Sequence, residues 1–498
     1  LPMLSHGQVV RLIFGLKLRE LRQERGFTPA EMARACDVSV SYLNEIEKGK
    51  KYPKADKILS LSKVLGVSYD QLTSLTLSRR LEPISELLQS DVLKEFPLEM
   101  YGLDPIRIVE LIADAPAKMN AFISTLFEIA RNFEMRQENF FLAALRSYQE
   151  MHDNYFEDLE QDVRTFCVEE NLTTTAPFDT TQLERVLVEK YGYTLNRTKL
   201  ANYESLGRLR SVFQPKTRCL LLRPGLSKAQ EAFVLGREVA FNYLGLKERP
   251  YVNATFPVRS FDEVLNNFKA SYFAGALLME EESLVRDLQQ FFSLPGWVPA
   301  GLAALLARYD VSPEMFMQRL TNLLPRHFGL QSLFFLRFDQ ARDRDEGYKL
   351  SKELHLSRLH NPHGNELHEH YCRRWVSIRM VQEARRQATT ETTAFVMGAQ
   401  RSRYPNNDEY LCLTLARAAG PTEPAVSVTV GLLVDDNLRQ RIQFYDDGLI
   451  PQKIVNETCE RCQIPNCEVR ASEPVEIERR ARQQETEAAI AALVNADI

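Results

Sequence analysis

The chain has 498 residues, 44% of them hydrophobic and 26% charged, with a net charge of −5. That length exceeds one core and that composition excludes a disordered segment, so about two to four domains are expected. The charge is uneven: residues 11–70 hold 12 Lys/Arg against 8 Asp/Glu, leaving this segment at +4 and the rest at −9, which excludes a general nucleic-acid coat and predicts local contacts from a mildly basic head on an acidic body.

Leu1 to Phe14, interrupted by His6 and Arg11, is not expected to be a signal peptide. No later run approaches the roughly 18 apolar residues that span a bilayer. Leu16, Leu18 and Leu21 predict a first helix, interleaved with Lys17, Arg19 and Arg22 and ended by Gly26. Thr28-Pro29-Ala30-Glu31 reads as a capping box with proline at the first helical position, so a short second helix runs to Cys36. Ser39 then caps a third helix whose inward positions are Val40, Leu43 and Ile46, closed by Gly49. Ser41, Tyr42, Asn44, Glu45 and Lys48 face outward, with Lys50 and Lys51 just beyond. Hydroxyls, an amide and cations are what base edges and phosphates need. Helices around 55–65 and 69–75 complete a five-helix core.

This stretch resembles the Xre/Cro-type repressor family, and SVSYLNEIEKGKKYP is similar to its recognition-helix signature. The resemblance implies binding of double-stranded operator DNA, with Arg19, Thr28, Ser39, Ser41, Tyr42, Asn44, Lys48 and Lys50 as the expected contacts. Glu31 departs from the family, which often has glutamine there.

From about Leu81 to Glu170 helical spacing dominates. Ile108, Leu111 and Ile112 form one face, Phe122, Leu126, Ile129 and Phe133 another, and Phe140, Phe141, Leu145 and Tyr148 a third. Repressors of this kind bind two half-sites, so a helical connector that also makes a homodimer is expected here.

After residues 171–178 the pattern turns to mixed helix and strand. Cys219 to Leu222 reads as a strand followed by a Pro-Gly turn, and a helix runs through Gln230 to Phe241. That helix resembles the active-site helix of the ImmA/IrrE metallopeptidase-like domains, where two histidines four residues apart hold zinc and a glutamate acts as base. Arg237 and Phe241 stand at the histidine positions and only Glu238 is kept. Phe268 to Glu282 is similar to the second signature helix of that family, with Asn267 at the acidic ligand position. A guanidinium and a phenyl ring cannot ligate zinc here. The peptidase shape is therefore expected without the chemistry, as a cleft lined by Arg237, Phe241, Tyr243, Tyr272 and Phe273 that suits an anionic ligand with an apolar part. Lys216, Arg218 and Arg237 are the expected contacts for such an anion, with Phe241 and Tyr272 around the apolar part.

Residues 332–339, 393–400, 409–417 and 425–434 read as strands of an antiparallel sheet. Behind them stand Cys459, Cys462 and Cys467, three thiols within nine residues. Such crowding points to a reducing, cytoplasmic setting and to a metal or cluster, and the spacing leaves zinc and an iron–sulfur cluster both open. Cys372 is the expected fourth ligand, since Cys412 lies in a strand and Cys219 in the preceding domain. His355, His360, His363, His368 and His370 keep a Cys3His zinc site open.

Taken whole, the chain resembles the Xre-family, short-chain fatty acyl-CoA-responsive transcriptional regulators of the PrpR and RamB kind. The resemblance covers roughly residues 10 to 475 and implies control by acyl-CoA or CoA and a 4Fe–4S cluster on Cys372, Cys459, Cys462 and Cys467, with zinc as the alternative. The expected fold is multidomain: an all-α helix-turn-helix head (9–77) and helical connector (78–170), an α+β degenerate metallopeptidase-like domain (171–328), an α+β cysteine-bearing C-terminal domain (329–475) and an exposed helical tail (476–498). A non-enzymatic, homodimeric regulator with no membrane partner is expected. A regulator with a purely structural zinc site and a repressor-cleaving metallopeptidase are the competing readings.

Overall fold

The structure, a computed structural model, describes residues 6–74, 137–207, 209–251, 260–340, 347–356, 369–388, 394–418 and 425–494. Its contacts divide the chain into two units, Leu1–Tyr148 with Pro257–Phe261, and Gln149–Phe256 with Asp262–Ile498. The connector faces expected at Ile108–Ile112 and Phe122–Phe133 lie outside the described residues. So do His360, His363 and His368.

The head is built from α1 (His6–Glu24), α2 (Pro29–Ala35), α3 (Val40–Glu47), α4 (Ala55–Leu65) and α5 (Tyr69–Thr73). Phe14, Leu18, Met32, Leu43, Ile46, Ile58, Leu61 and Leu72 share one buried core. The capping box on α2 closes in both directions: Glu31 N–H donates to Thr28 Oγ1 at 3.2 Å, and Thr28 N–H donates to Glu31 Oε2 at 2.8 Å. Ser39 Oγ accepts from Tyr42 N–H at 3.0 Å to start α3. α1 meets α3 at Gly15, where a Cβ would stand 2.4 Å from the Ile46 carbonyl oxygen. A residue larger than glycine would push the two helices apart.

Three head expectations are corrected. α1 begins at His6, well before Leu16. Val40 is 42% exposed, because the first turn of α3 overhangs the core that Leu43 and Ile46 enter. Lys17 and Arg22 are buried rather than solvated. Lys17 Nζ donates to the Gln71 and Ser74 carbonyls at 3.0 and 2.7 Å, a cation on the carbonyl end of α5. Arg22 makes a two-pronged ion pair with Glu47 at 2.6 and 3.0 Å.

In the second part of the chain, α6 (Gln137–Met151) and α7 (Glu157–Glu169) are followed by α8 (Thr180–Arg185) and a small sheet of β1 (Thr194–Asn196), β2 (Ser211–Gln214) and β3 (Cys219–Leu222). The strand order is β1-β3-β2, with β3 parallel to β1 and antiparallel to β2. Then come α9 (Lys228–Tyr243), α10 (Phe261–Leu278), α11 (Glu281–Phe292), α12 (Pro299–Tyr309) and α13 (Pro313–Phe328). α9 approaches α10 closely at Gly236, where a Cβ would stand 3.1 Å from Ala274 Cβ. Arg319 of α13 pairs with Glu160 of α7 at 2.5 and 3.0 Å, and Tyr272 of α10 donates to Glu160 at 2.7 Å. Each member of this network is at most 5% exposed, and the mutual hydrogen bonds offset the cost of burying the two charges.

A six-stranded sheet follows, in the order β5-β4-β8-β7-β6-β9. Its strands are β4 (Leu333–Gln340), β5 (Tyr348–His355), β6 (Ala394–Arg403), β7 (Glu409–Ala418), β8 (Ala425–Leu433) and β9 (Gln452–Ile454). It is antiparallel except where β9 runs parallel to β6. α14 (Val376–Gln387) covers one face: Val376 and Ile378 pack with Phe334, Leu336 and Tyr410, and Val381 and Ala384 with Val396 and Ala416. α15 (Asp436–Arg441) leads to the cysteine-bearing loop, and α16 (Val475–Val494) ends the described chain as an exposed helix. No described helix is long and apolar enough to cross a membrane.

Candidate functional site

The residues expected to contact DNA lie on α3 and beside it. Thr28, Ser39, Ser41, Asn44, Lys48 and Lys50 are exposed, and Tyr42 and Arg19 are half-buried. Tyr42 rests on the head core, with the Lys51 ammonium 5.9 Å from its ring centroid. Lys51 pairs with Glu45 at 2.8 Å. The Lys50 and Lys51 N–H groups both donate to the Glu45 carbonyl, at 2.9 and 3.2 Å, so the basic end of α3 is fixed by backbone bonds. Hydroxyl, amide and ammonium groups then share one surface on a rigid helix. Glu31, at the family's glutamine position, is committed to the α2 cap, and the Thr28 N–H and hydroxyl hold its carboxyl below the usual range.

A second site forms where α9 meets α10. Arg237 donates to Asn267 Oδ1, and its guanidinium carbon lies 5.5 Å from the Phe241 ring centroid. The three residues standing at the zinc-ligand positions are thus neighbours, joined by a hydrogen bond and a cation–π contact. Glu238 is not poised as a base. Arg249 clasps it at 2.6 and 2.8 Å, and Tyr193 OH donates to it at 3.1 Å. Arg249 also lies 4.0 Å from the Phe241 ring centroid and 4.4 Å from that of Phe213. Burial brings the Arg237 guanidinium down to about 10; Glu238 opposes that shift, while repulsion from Arg249 and Arg210 adds to it. Arg249 and Arg210 carried no signal in the sequence, because neither lies in a signature helix.

The other expected ligand residues stand elsewhere. Lys216 and Arg218 occupy the exposed turn between β2 and β3, where Arg218 Nη1 donates to the Tyr191 carbonyl at 2.7 Å. The Tyr272 hydroxyl is engaged by Glu160 and by Phe156 N–H, at 2.7 and 3.2 Å. Phe273 packs on Phe166. A surface cavity of about 490 Å³ does lie among Tyr155, Glu157, Glu281, Glu282, Arg326 and His327, but its carboxylates disfavour an anion.

The third site is the cysteine loop. An antiparallel bridge joins Tyr371 to Thr458. Around it, Cys372 N–H donates to the Glu457 carbonyl at 3.0 Å and Cys459 N–H to the His370 carbonyl at 2.8 Å. Cys372, Cys459 and Cys462 are buried, and Cys467 is half-buried beyond Asn466, which takes a positive φ of 50°. Burial raises the Cys372 thiol to about 11; two backbone hydrogen bonds oppose this, and the Cys459 and Cys462 charges reinforce it. Ala471 N–H donates to Cys459 Sγ at 3.4 Å. Two flanking contacts brace the loop: an ion pair of Arg461 with Glu369 at 2.7 Å and a hydrogen-bond contact of His370 Nδ1 with Glu460 at 2.7 Å. His370 is thereby committed to a carboxylate. Among the described residues no three His, Cys, Asp or Glu side chains are disposed to hold one ion. The four thiols come from two segments joined by that bridge, and thiolate is the donor type that zinc and iron–sulfur clusters take. Cys412, in β7, shares a buried cluster with Cys372, and burial raises its thiol to about 12.

The helix-turn-helix family matches residues 18–72 and the IrrE N-terminal-like domain matches residues 188–321. The chain is 24% identical over 341 residues to the HTH-type transcriptional regulator RamB of Mycobacterium tuberculosis, covering 66% of this chain and 68% of that protein. It is 23% identical over 354 residues to the HTH-type transcriptional regulator PrpR of the same organism, again over 66% and 68%. With the propionyl-CoA carboxylase regulator of Cereibacter sphaeroides the identity is 24% over 356 residues, 66% and 69% of the two chains.

Proposed function

We propose that the chain, a DNA-binding transcriptional regulator with a helix-turn-helix match at residues 18–72 and an IrrE N-terminal-like match at residues 188–321, couples operator binding to a CoA-type metabolite, a short-chain acyl-CoA or CoA itself. One observation carries this reading. The catalytic position of the IrrE-like fold is occupied by Arg237, which contacts both Asn267 and Phe241, a set that lacks zinc ligands and leaves cations beside aromatic rings. That combination suits a ligand with phosphates and an apolar acyl end. One relative is named as a propionyl-CoA carboxylase regulator, which supports the same class. Arg237 and Phe241 are the proposed contacts; Lys216 and Arg218 would add charge only from the rim, and Tyr272 is left to its network.

Cys372, Cys459, Cys462 and Cys467 would hold a 4Fe–4S cluster, or zinc, and a cluster would supply sensitivity to iron and oxidants at that loop. The bridge at Tyr371–Thr458 and the Ala471 N–H fix the loop's backbone and one thiol. A homodimer would place two heads on two half-sites, and the effector would act by favouring one disposition of those heads. Calorimetric titration of the full chain with propionyl-CoA tests the sensing: a saturable heat is expected, and no binding by propionyl-CoA, acetyl-CoA or CoA would overturn it.

A further inference from the structure

Arg237 and Arg249 present more buried positive charge than their surroundings answer. Arg237 is 6% exposed, and the Arg249 side chain 8%. The carboxylate beside them is Glu238, both of whose oxygens accept from Arg249 Nη2. Arg237 has the neutral Asn267 amide oxygen. The Nε atoms of Arg237 and Arg249 are both buried without a hydrogen-bond partner among the described residues. Phe233, Phe241 and Phe213 offer ring faces to these guanidiniums, which eases the burial of a cation but satisfies no N–H. Uncompensated buried charge of this kind is costly and is retained where a counter-charge arrives.

We propose that Arg237 and Arg249 form a binding site for a small oxyanion, a phosphate or diphosphate group, at the position where the IrrE-like fold would otherwise seat its metal. A planar guanidinium meets two oxygens at once, so two of them around one centre select a tetrahedral, multiply charged anion over a chloride. The inference rests on the proposed sensing of a phosphorylated metabolite and places its anionic end on Arg237 and Arg249 rather than on the exposed Lys216–Arg218 turn.

The test titrates the full chain with inorganic diphosphate, and separately with CoA, against the wild type, Arg237→Met and Arg237→Lys. Diphosphate should bind the wild type saturably. Arg237→Met should weaken it by about tenfold or more, as loss of a charged hydrogen bond requires, while its melting temperature without anion stays level or rises because a buried charge is gone. If Arg237→Met does not fold, Arg237→Lys decides, with weakened but measurable binding expected from a point charge that lacks the fork. Wild-type chain that ignores diphosphate, or variants that bind it as tightly as wild type, would overturn the oxyanion site. CoA binding undiminished in Arg237→Met would also overturn it while leaving the sensing proposal intact. Diphosphate binding without any CoA binding would support the site and remove CoA as its source.

Discussion

Asn44 and Lys48 sit on the same exposed side of α3 but are expected to do different work. An amide reads a base edge, so Asn44→Ala should weaken operator binding by about 1–3 kcal/mol and relax preference at one base position. Lys48→Ala should weaken all duplexes alike and lower the salt dependence of binding by about one unit of slope. Fluorescence anisotropy against operator and scrambled duplexes at several salt concentrations separates the two. Behind them, Glu47 is buried against Arg22, and Glu47→Ala leaves that guanidinium unpaired in the core. A loss of about 3 kcal/mol in head stability, read by urea melting, is the expected cost. The sequence made the outward residues of α3 legible because caps fix the helix and its phase follows. It hid Glu47, since nothing local distinguishes a buried charge from a solvated one when its partner lies on another helix.

At the scale of elements, the caps of α2 and α3 and the apolar runs of β4, β6, β7 and β8 were readable because each is a local pattern. β5 pairs along β4 but has no local strand pattern; its exposed Lys349 and Lys352 mark an edge strand with one wet face. β9 has three exposed residues and gets its strand conformation from β6 alone. The arginine pair of the IrrE-like domain is equally non-local, since Arg249 comes from the loop after α9. Glu314, at the start of α13, shows how such pairing should appear in solution. Burial alone would raise its carboxyl, but Lys352, Arg337 and Arg210 more than reverse this and bring it to about 2. Its folded pKa lies below the unfolded value of about 4.3, so its stabilisation is present above that pH and lost as pH falls from there toward 2. Glu314→Gln should lower the melting temperature at pH 7 and flatten its fall between about pH 4 and 2; an unchanged slope would mean the ion pairs contribute nothing. At the cysteine loop, anaerobically prepared protein should be brown if a cluster is held and colourless with bound zinc. A Cys459→Ser, Cys462→Ser variant should lose the metal in either case, and metal content unchanged by it would remove these thiols from the role.

The whole molecule is a mildly basic reader attached to a larger acidic body, with net charges of +4 over residues 11–70 and −9 over the remainder. So small a positive excess gives weak non-specific attraction to DNA, and useful affinity then depends on engaging two half-sites together. A mass in solution of about twice 57.3 kDa is expected for the full chain, read by light scattering. Regulation follows if the effector changes how two heads can be presented, which is an equilibrium effect and reciprocal between ligand and DNA. The central claim is that the IrrE-like body controls the head. It is tested most directly by measuring the affinity of the full chain for a duplex it has itself selected from a random pool, at fixed salt, with and without saturating propionyl-CoA. A change of about tenfold in either direction, the size of an ordinary allosteric coupling, is the predicted result. An affinity unmoved by propionyl-CoA that demonstrably binds would contradict the account.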